Sequence, residues 1–362
     1  MGTSTRVTIR PVKKKETVAV RRLINRTFPL LQRLFVALHG RDILAAFQGD
    51  QMLGGVVLKT FYLPGKGKCG HVEWLITAPE ARGSGVGQSL LDAAIKLLQK
   101  KKVAEIFAVI DGHNIASANL FASRDFSLLS PGEQLRRYRF NLLLLWLHTF
   151  HYMDVGHFLW ARPASPGQGS AAGQWFGNLV ASIIIALLAR WRLGGFASLP
   201  AEVMAATALS FVIIFGAREA AMQLTARLRG LKARYRAWES GLFFNLILAL
   251  LFGWFFPVTG SIYPGEEKWR CREHKRSLGP AALAGALAVL LFAWAVPFYY
   301  LVLGGEPHPL LDTFATLAFM IAFFDIALPF FPFSGYNGRR LWDWNIMSWV
   351  IPAVLVALLF AV

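Results

Sequence analysis

The order of apolar and polar positions divides the chain into two parts. In the first part, apolar runs with strand-like alternation lie at residues 6–11, 43–48, 52–62, 71–77 and 105–110. Helical spacing of apolar residues predicts helices over residues 16–28, 30–39, 87–101 and 115–123. Short strands and helices mixed on this scale are typical of an α+β domain built on one central sheet. We expect this domain to occupy residues 1–140.

The pattern changes after residue 140. Residues 141–162 are apolar and aromatic but contain three His and one Asp. This segment either closes the sheet of the first domain or lies on a membrane surface as an amphipathic stretch. Residues 163–174 are rich in small residues and predict a flexible linker, so residues 141–174 form a connecting region.

Long apolar runs fill the rest of the chain. They lie near residues 175–189, 199–217, 240–257, 279–303, 310–330 and 346–362. Runs of this length are close to what a bilayer core of about 30 Å requires. We therefore expect residues 175–362 to form an all-α polytopic membrane domain with about six spans.

The composition supports a membrane protein. The chain is 55% hydrophobic and 16% charged, and its net charge is +17. Its basic residues lie in the first domain and beside the apolar runs, which favours contact with the anionic surface of a lipid bilayer. The sequence has no basic and aromatic RNA- or DNA-binding motif, so we expect no nucleic-acid partner.

A glycine-rich segment, Ala78 to Gly87, follows the strand at 71–77 and precedes the helix at 87–101. Glycines allow the backbone to approach a ligand closely and to adopt unusual dihedral angles. The N–H groups of such a turn and of the following helix favour a bound anion such as a pyrophosphate.

These residues resemble the GNAT acetyltransferase superfamily. The family's phosphate-binding pattern is Arg/Gln-x-x-Gly-x-Gly/Ala, and Arg82, Gly85 and Gly87 match it. Downstream, the segment from Asn114 to Phe121 is similar to the family's N-x-x-A/S-x-x-L-Y pattern. The resemblance covers about residues 5–140.

The resemblance implies a splayed sheet that holds acetyl-CoA between two parallel strands. The residues it implies for binding acetyl-CoA are Leu75, Ile76, Thr77, Arg82, Gly83, Ser84, Gly85, Val86, Gly87 and Asn114. Transfer to an amine acceptor requires a base, because an ammonium group is not nucleophilic. Glu73 occupies the position where many family members place a carboxylate, and His71 is the second candidate.

One residue departs from the family pattern. The family's usual general acid is the Tyr of the L-Y pair, and this chain has Phe121 there. Ser117 and Tyr138 are candidate replacements. The departure leaves two hypotheses open. The first is a membrane-tethered N-acetyltransferase that acts on an amine, with its first domain on the cytoplasmic side where acetyl-CoA is found. The second is a non-catalytic protein that senses acyl-CoA or binds a partner.

The apolar part resembles the site-2 protease family of intramembrane metalloproteases. In that family a His-Glu-x-x-His motif and a distant Asp bind zinc. Here Arg218 and Met222 take the two His positions, and Asn337 takes the Asp position. Arg stays protonated and a thioether is a soft ligand, so we expect no metal and no protease activity. The domain would serve as an anchor or as a partner-binding module.

Two charged residues in this apolar part need an explanation. Arg218 ends one apolar run and Asp325 lies inside another. A charge inside a membrane span is costly and usually has a partner. We therefore expect Arg218 to pair with Asp325 or with the turn at Asn337, or else to extend to the head-group region. Neither the acceptor nor the oligomeric state follows from the sequence.

Overall fold

The computed structural model describes residues 7–152, 154–165, 169–265, 271–330 and 332–361, with the backbone alone for residues 271–277. Chain contacts divide it into two compact units. The head unit comprises Met1–Ile110, Leu120–His151 and Phe158–Gln168. The helical unit comprises Asp111–Asn119, Tyr152–His157 and Gly169–Val362.

A seven-stranded sheet in the order β1-β2-β3-β4-β5-β7-β6 runs through the described residues of the first part. Its strands are β1 Thr8–Pro11, β2 Asp42–Gln48, β3 Gln51–Leu63, β4 Gly67–Thr77, β5 Glu105–Asp111, β6 Ser127–Leu128 and β7 His157–Arg162. Strands β1 to β4 pair antiparallel, and β4 pairs parallel with β5. A parallel pair requires a crossover connection, which the helix between β4 and β5 supplies. The predicted α+β architecture is confirmed.

The helices of this part are α1 Thr17–Thr27, α2 Leu30–Arg33, α3 Val86–Lys100, α4 Ile115–Ala122, α5 Pro131–Tyr138 and α6 Asn141–Thr149. Helix α3 packs closely on the sheet at two glycines. A Cβ atom at Gly54 would lie 2.9 Å from Leu90 of α3, and one at Gly70 would lie 2.9 Å from Leu98 of α3. Larger residues at these positions would push α3 away from the sheet.

The predicted helix over residues 30–39 is wrong beyond Arg33. The apolar side chains of Leu30 and Leu34 are 70% and 74% exposed, so a continued helix would have no buried face to stabilise it. Val36 and Leu38 are buried instead, two residues apart as in extended chain. This segment leads directly into β2.

The aromatic segment after residue 140 contributes to the sheet. Helix α6 is followed by β7, which pairs antiparallel with β6 between Ser127 and Ala161 and between Leu128 and Trp160. Of the two possibilities that the sequence leaves open, the structure therefore shows the one in which this segment extends the sheet. Strand β7 lies beyond the boundary expected at residue 140.

The helical unit contains α7 Ala171–Gly194, α8 Ala201–Leu228, α9 Glu239–Phe252, α10 Cys271–Val302, α11 Pro309–Ala322, α12 Asn337–Trp344 and α13 Ile346–Leu358. Helix α11 continues into a π-helical turn, Phe323–Ala327. A small two-stranded sheet, β8 Ala233–Arg236 with β9 Ser261–Pro264, is an addition to the expected all-α fold.

Among the described residues, four helical stretches are long and apolar enough to cross a bilayer: Ala171–Gly194, Ala201–Leu228, Leu278–Val302 and Pro309–Ala327. The other two expected spans correspond to the shorter apolar helices Glu239–Phe252 and Ile346–Ala361. Helix α9 has 14 residues, which gives a length of about 21 Å, less than the bilayer core of about 30 Å.

Candidate active site

Strands β4 and β5 separate part-way along their length. They pair between Cys69 and Glu105 and continue to the pair of Val72 and Ala108. Beyond Val72, β4 pairs only with β3 within the described residues. Leu75, Ile76 and Thr77 lie on this part of β4 and leave one strand edge open, and the predicted splayed sheet is therefore present.

Glu73 lies where the strands begin to separate. The β3–β4 register pairs Leu58 with Val72 and Val57 with Trp74, so Glu73 has no opposite residue and forms a β-bulge. A bulge bends its strand and turns a side chain away from the regular alternation. The bulge thus accounts for the divergence of β4 and for the placement of a carboxylate at the fork.

The glycine-rich segment forms an open turn after β4. Gly83 and Gly85 have φ angles of +80° and +82°, a backbone conformation that favours glycine. A Cβ atom at either position would meet no atom within 4 Å, so the turn faces open space. Less space is free at Gly87, because a Cβ atom there would lie 3.2 Å from the Thr77 hydroxyl oxygen.

Helix α3 begins directly at this turn, with Gly85 as its N-cap. The first N–H groups of a helix have no acceptor within the helix and together form a positive pole. Val86 is buried and anchors the start of α3, whereas Arg82 is exposed beside the turn. Ser84 donates its hydroxyl to the Ala81 carbonyl at 2.7 Å and stabilises the turn. These features fit a phosphate-bearing ligand.

The predicted bases have different surroundings. Arg41 Nε donates to Glu73 Oε2 at 2.5 Å, and both side chains are partly exposed. His71 is buried, and both its ring nitrogens lack a hydrogen-bond partner within the described part of the chain. Burial, with the nearby charges of Lys59 and Arg41, lowers the pKa of His71 to about 3. His71 is therefore neutral near pH 7 and a much weaker base than an ordinary histidine.

Of the candidate acids, Tyr138 does not replace the missing tyrosine. Phe121 is buried against Phe126, with ring centroids 5.0 Å apart. Tyr138 donates its hydroxyl to Glu105 Oε2 at 2.6 Å, at the first residue of β5 and so at the paired end of the strands. Burial, with this bond, raises the pKa of Tyr138. Tyr138 therefore lies away from the fork.

Asn114 and Ser117 lie in the short segment that belongs to the helical unit. Ser117 donates its backbone N–H to Asn114 Oδ1 at 3.1 Å, so Asn114 caps the start of α4. Asn114 is exposed, and its amide nitrogen remains available to a ligand. Its role in acetyl-CoA binding stays a prediction.

Sequence reasoning missed Arg41, which lies just before β2 in a segment without periodic pattern. Lys59 was also missed. Its ammonium group donates to the His148 carbonyl at 2.8 Å, and burial lowers its pKa. Because contacts between residues distant in sequence leave no local sequence pattern, neither residue could be identified from the sequence alone.

Comparison with known proteins bears on both parts of the chain. The model of the family described as Acetyltransferase (GNAT) matches residues 18–126. Residues 18–126 thus match a GNAT acetyltransferase domain. A mycothiol acetyltransferase from Renibacterium salmoninarum is 35% identical over 86 residues, which cover 24% of this chain and 25% of that protein. The GNAT resemblance predicted from the glycine-rich turn is thus confirmed.

The second curated relative bears the name of a protease. A protein of Methanocaldococcus jannaschii named as a zinc metalloprotease is 31% identical over 126 residues, which cover 35% of this chain and 63% of that protein. This chain therefore spans less than two thirds of the length of either curated relative. The relationship agrees with the predicted resemblance of the apolar part to a metalloprotease.

Solved structures similar to this chain include two with coenzyme A or a CoA-containing analogue in their names. Arabidopsis thaliana Naa50 in complex with a bisubstrate analogue has 14% identity and a TM-score of 0.33, and covers 43% of this chain and 97% of its own. N-acetylglutamate synthase from Neisseria gonorrhoeae, complexed with coenzyme A and N-acetylglutamate, has 19% identity and a TM-score of 0.33, and covers 44% of this chain and 35% of its own.

Proposed function

We propose that this protein is a membrane-anchored N-acyltransferase that moves an acetyl group from acetyl-CoA to an amine. The observation that carries the proposal is the fork between β4 and β5, with the bulged Glu73 at its base and the open glycine turn at the start of α3. The turn suits the pyrophosphate of CoA, and the open edge of β4 suits the extended pantetheine arm, which carries amide groups.

The proposed reaction uses Glu73 as the proton acceptor. The acceptor arrives as an ammonium ion, and loss of one proton to Glu73, directly or through water, gives the nucleophilic amine. The amine nitrogen attacks the thioester carbonyl carbon, so that a C–N bond forms and the C–S bond breaks. The attacking nitrogen loses a second proton to solvent and so becomes a neutral amide. The CoA sulfur leaves as a thiolate and takes a proton from solvent, since Phe121 has none to give.

Arg41 supports this role by fixing the carboxylate. Its bond involves Oε2 of Glu73, and Oε1 accepts no hydrogen bond within the described residues. One oxygen is thus held in place while the other is available to the incoming ammonium group. His71 serves less well as the base, because its lowered pKa leaves it little tendency to take a proton near pH 7.

Substitution of the base tests the reaction. The protein with Glu73→Gln should bind CoA as the wild type does but lose at least tenfold in kcat, because general-base catalysis contributes about 10²–10⁴-fold. A matched control is Glu16→Gln, which removes the carboxylate of another Arg–Glu pair in the head unit, Arg10 with Glu16 at 2.7 Å. Release of free CoA thiol is measured with a panel of primary amines. Unchanged kcat in Glu73→Gln would remove Glu73 from the mechanism.

A second candidate function is supported by Phe121. The replacement of the usual acid by a buried phenyl ring favours a protein that binds acyl-CoA without turnover. The same assay separates the two functions. Release of CoA that depends on an added amine supports the transferase, whereas tight CoA binding with no release above background for any amine supports a sensor.

The membrane location is part of the proposal. The four long apolar helices are suited to span a bilayer. With the head on the cytoplasmic side, the basic segment after α8 returns to that side, because the chain has crossed twice. The exposed cations Arg227, at the end of α8, and Arg229, just after it, agree with the excess of positive charge on cytoplasmic loops.

A further inference from the structure

The positions that the protease resemblance assigns to zinc lie together in the helical unit. Arg218 and Met222 are four residues apart on α8, so they share one face of the helix, and both are buried. Asn337, the first residue of α12, is also buried, and its amide nitrogen lies 3.6 Å from the sulfur of Met222.

Arg218 and Asn337 both donate to one carboxylate, that of Asp325. Arg218 donates from Nε and Nη2 to the two oxygens of Asp325, at 2.9 and 2.8 Å. The two side chains are 2% and 0% exposed. The amide nitrogen of Asn337 donates to Asp325 Oδ2 at 2.8 Å, and its backbone N–H donates to Oδ1 at 3.4 Å. The carboxylate therefore accepts four hydrogen bonds.

Two further segments contact these side chains, one at Gly260 and one at Gly285. The third nitrogen of the guanidinium, Nη1, donates to the Gly260 carbonyl at 3.3 Å. On the opposite side, α10 approaches through Gly285, where a Cβ atom would lie 2.6 Å from Met222 and 3.2 Å from the amide nitrogen of Asn337. The centre is closely packed, and a larger residue at Gly285 would disturb it.

These residues do not fit a catalytic metal. A zinc site needs about three N, O or S ligands that carry a free electron pair. Arg218 is protonated, the Asn337 amide nitrogen donates its hydrogens, and Met222 offers a soft thioether. Within the described residues, no group of three His, Cys, Asp or Glu side chains could hold a metal ion.

We propose that the guanidinium of Arg218 is the resident cation of this centre and has taken the structural place of the metal. Its positive charge balances Asp325, as a metal would balance an anionic ligand. The bidentate pair joins α8 to the π-helical turn, and Asn337 joins α12 to the same carboxylate. The centre is thus an ionic core that organises three helical segments.

The expected alternative, in which Arg218 extends to the head-group region, is wrong. The guanidinium is buried, and within the described residues it donates to Asp325 and to the Gly260 carbonyl. Because the pair is buried, removal of one member leaves the other charge without compensation. The two residues should therefore depend on each other strongly, which distinguishes this centre from a pair of independent polar residues.

The test is a double-substitution cycle in the full-length protein, purified in detergent and followed by thermal unfolding. Arg218→Ala and Asp325→Ala should each lower Tm by roughly 6–20 °C. The double variant should recover part of that loss. A chelator, 1,10-phenanthroline, should leave the wild-type Tm unchanged. The matched control is Arg339→Ala with Asp343→Ala, an exposed pair at 3.1 Å that should change Tm little, alone or together.

Two results would overturn the proposal. One is strict additivity of the Arg218 and Asp325 substitutions, which would mean that their charges do not interact. The other is a stoichiometric metal in the purified wild type whose removal lowers Tm. If the single variants do not fold, the double variant Arg218→Met with Asp325→Leu tests the proposal instead. An apolar pair of similar volume should restore a folded protein, and failure of this variant to fold would count against an ionic pair at this position.

Discussion

The open turn at the start of α3 makes a sharp prediction about CoA binding. Replacing Gly85 by Glu places a negative charge in the turn that we assign to the pyrophosphate. Gly85 has a φ of +82°, so any side chain there costs about 1–2 kcal/mol of backbone strain. Space is not limiting, because a Cβ atom at this position meets nothing within 4 Å. The fold should therefore survive the change.

The repulsion between the introduced carboxylate and the pyrophosphate can be estimated between two limits. Two like charges about 4 Å apart repel by about 1 kcal/mol in water and about 4 kcal/mol at the effective dielectric of a protein surface. Gly85 is half-buried, so the effect lies between these limits. The Kd for CoA should accordingly rise between about fivefold and a thousandfold. Gly85→Gln carries the same strain and nearly the same shape without the charge, and it is the matched control.

Isothermal titration of CoA into each full-length variant measures the difference. The prediction is that the Glu variant binds more weakly than the Gln variant by at least fivefold, and that the gap narrows as salt is added. Equal Kd values for the two variants, both close to that of the wild type, would show that the phosphates bind elsewhere.

Two further predictions test the packing and the topology. Gly54→Ala should lower the free energy of unfolding by about 1–3 kcal/mol, because the added Cβ would press on Ile76 and on Leu90 of α3. The control is Gly55→Ala, where the nearest neighbour of the Cβ is at 3.5 Å, and it should have little effect. Both variants are followed by thermal unfolding. A cysteine introduced as Arg229→Cys, in a variant with Cys69 and Cys271 replaced by Ser, should resist a membrane-impermeant thiol reagent in intact cells and react after lysis. Labelling in intact cells would place the segment after α8 outside and contradict the proposed topology.

Much of the head unit could be predicted because its strands have clear alternation and its turn has a distinct glycine pattern. The strand β7 could not be assigned, since Phe158 to Ala161 are buried in succession. A continuous apolar run of this length is compatible with either a strand or a membrane-surface segment. The helix expected over residues 30–39 failed for a different reason, because Leu30 and Leu34 face solvent and give a helix no buried face.

The pair of Arg218 with Asp325 and the pair of Arg41 with Glu73 differ in how well they can be predicted from the sequence. Arg218 and Asp325 stand out because charges are rare in apolar helices, and each therefore suggests the other as its partner. The pairing of Arg41 with Glu73 has no such signal, because charged residues are common in the head. The β-bulge that isolates Glu73 is likewise a property of strand register, which depends on how β3 and β4 align along their full length.

The central claim is that this chain transfers an acetyl group to an amine, and one measurement addresses it directly. Membranes containing the full-length protein are incubated with acetyl-CoA labelled in the acetyl group, alongside membranes with the Glu73→Gln variant. The account predicts that label appears in an amide bond of a membrane-associated molecule with the wild type and falls at least tenfold with the variant. Label that remains in acetyl-CoA or appears only as free acetate, equally with both proteins, would contradict it.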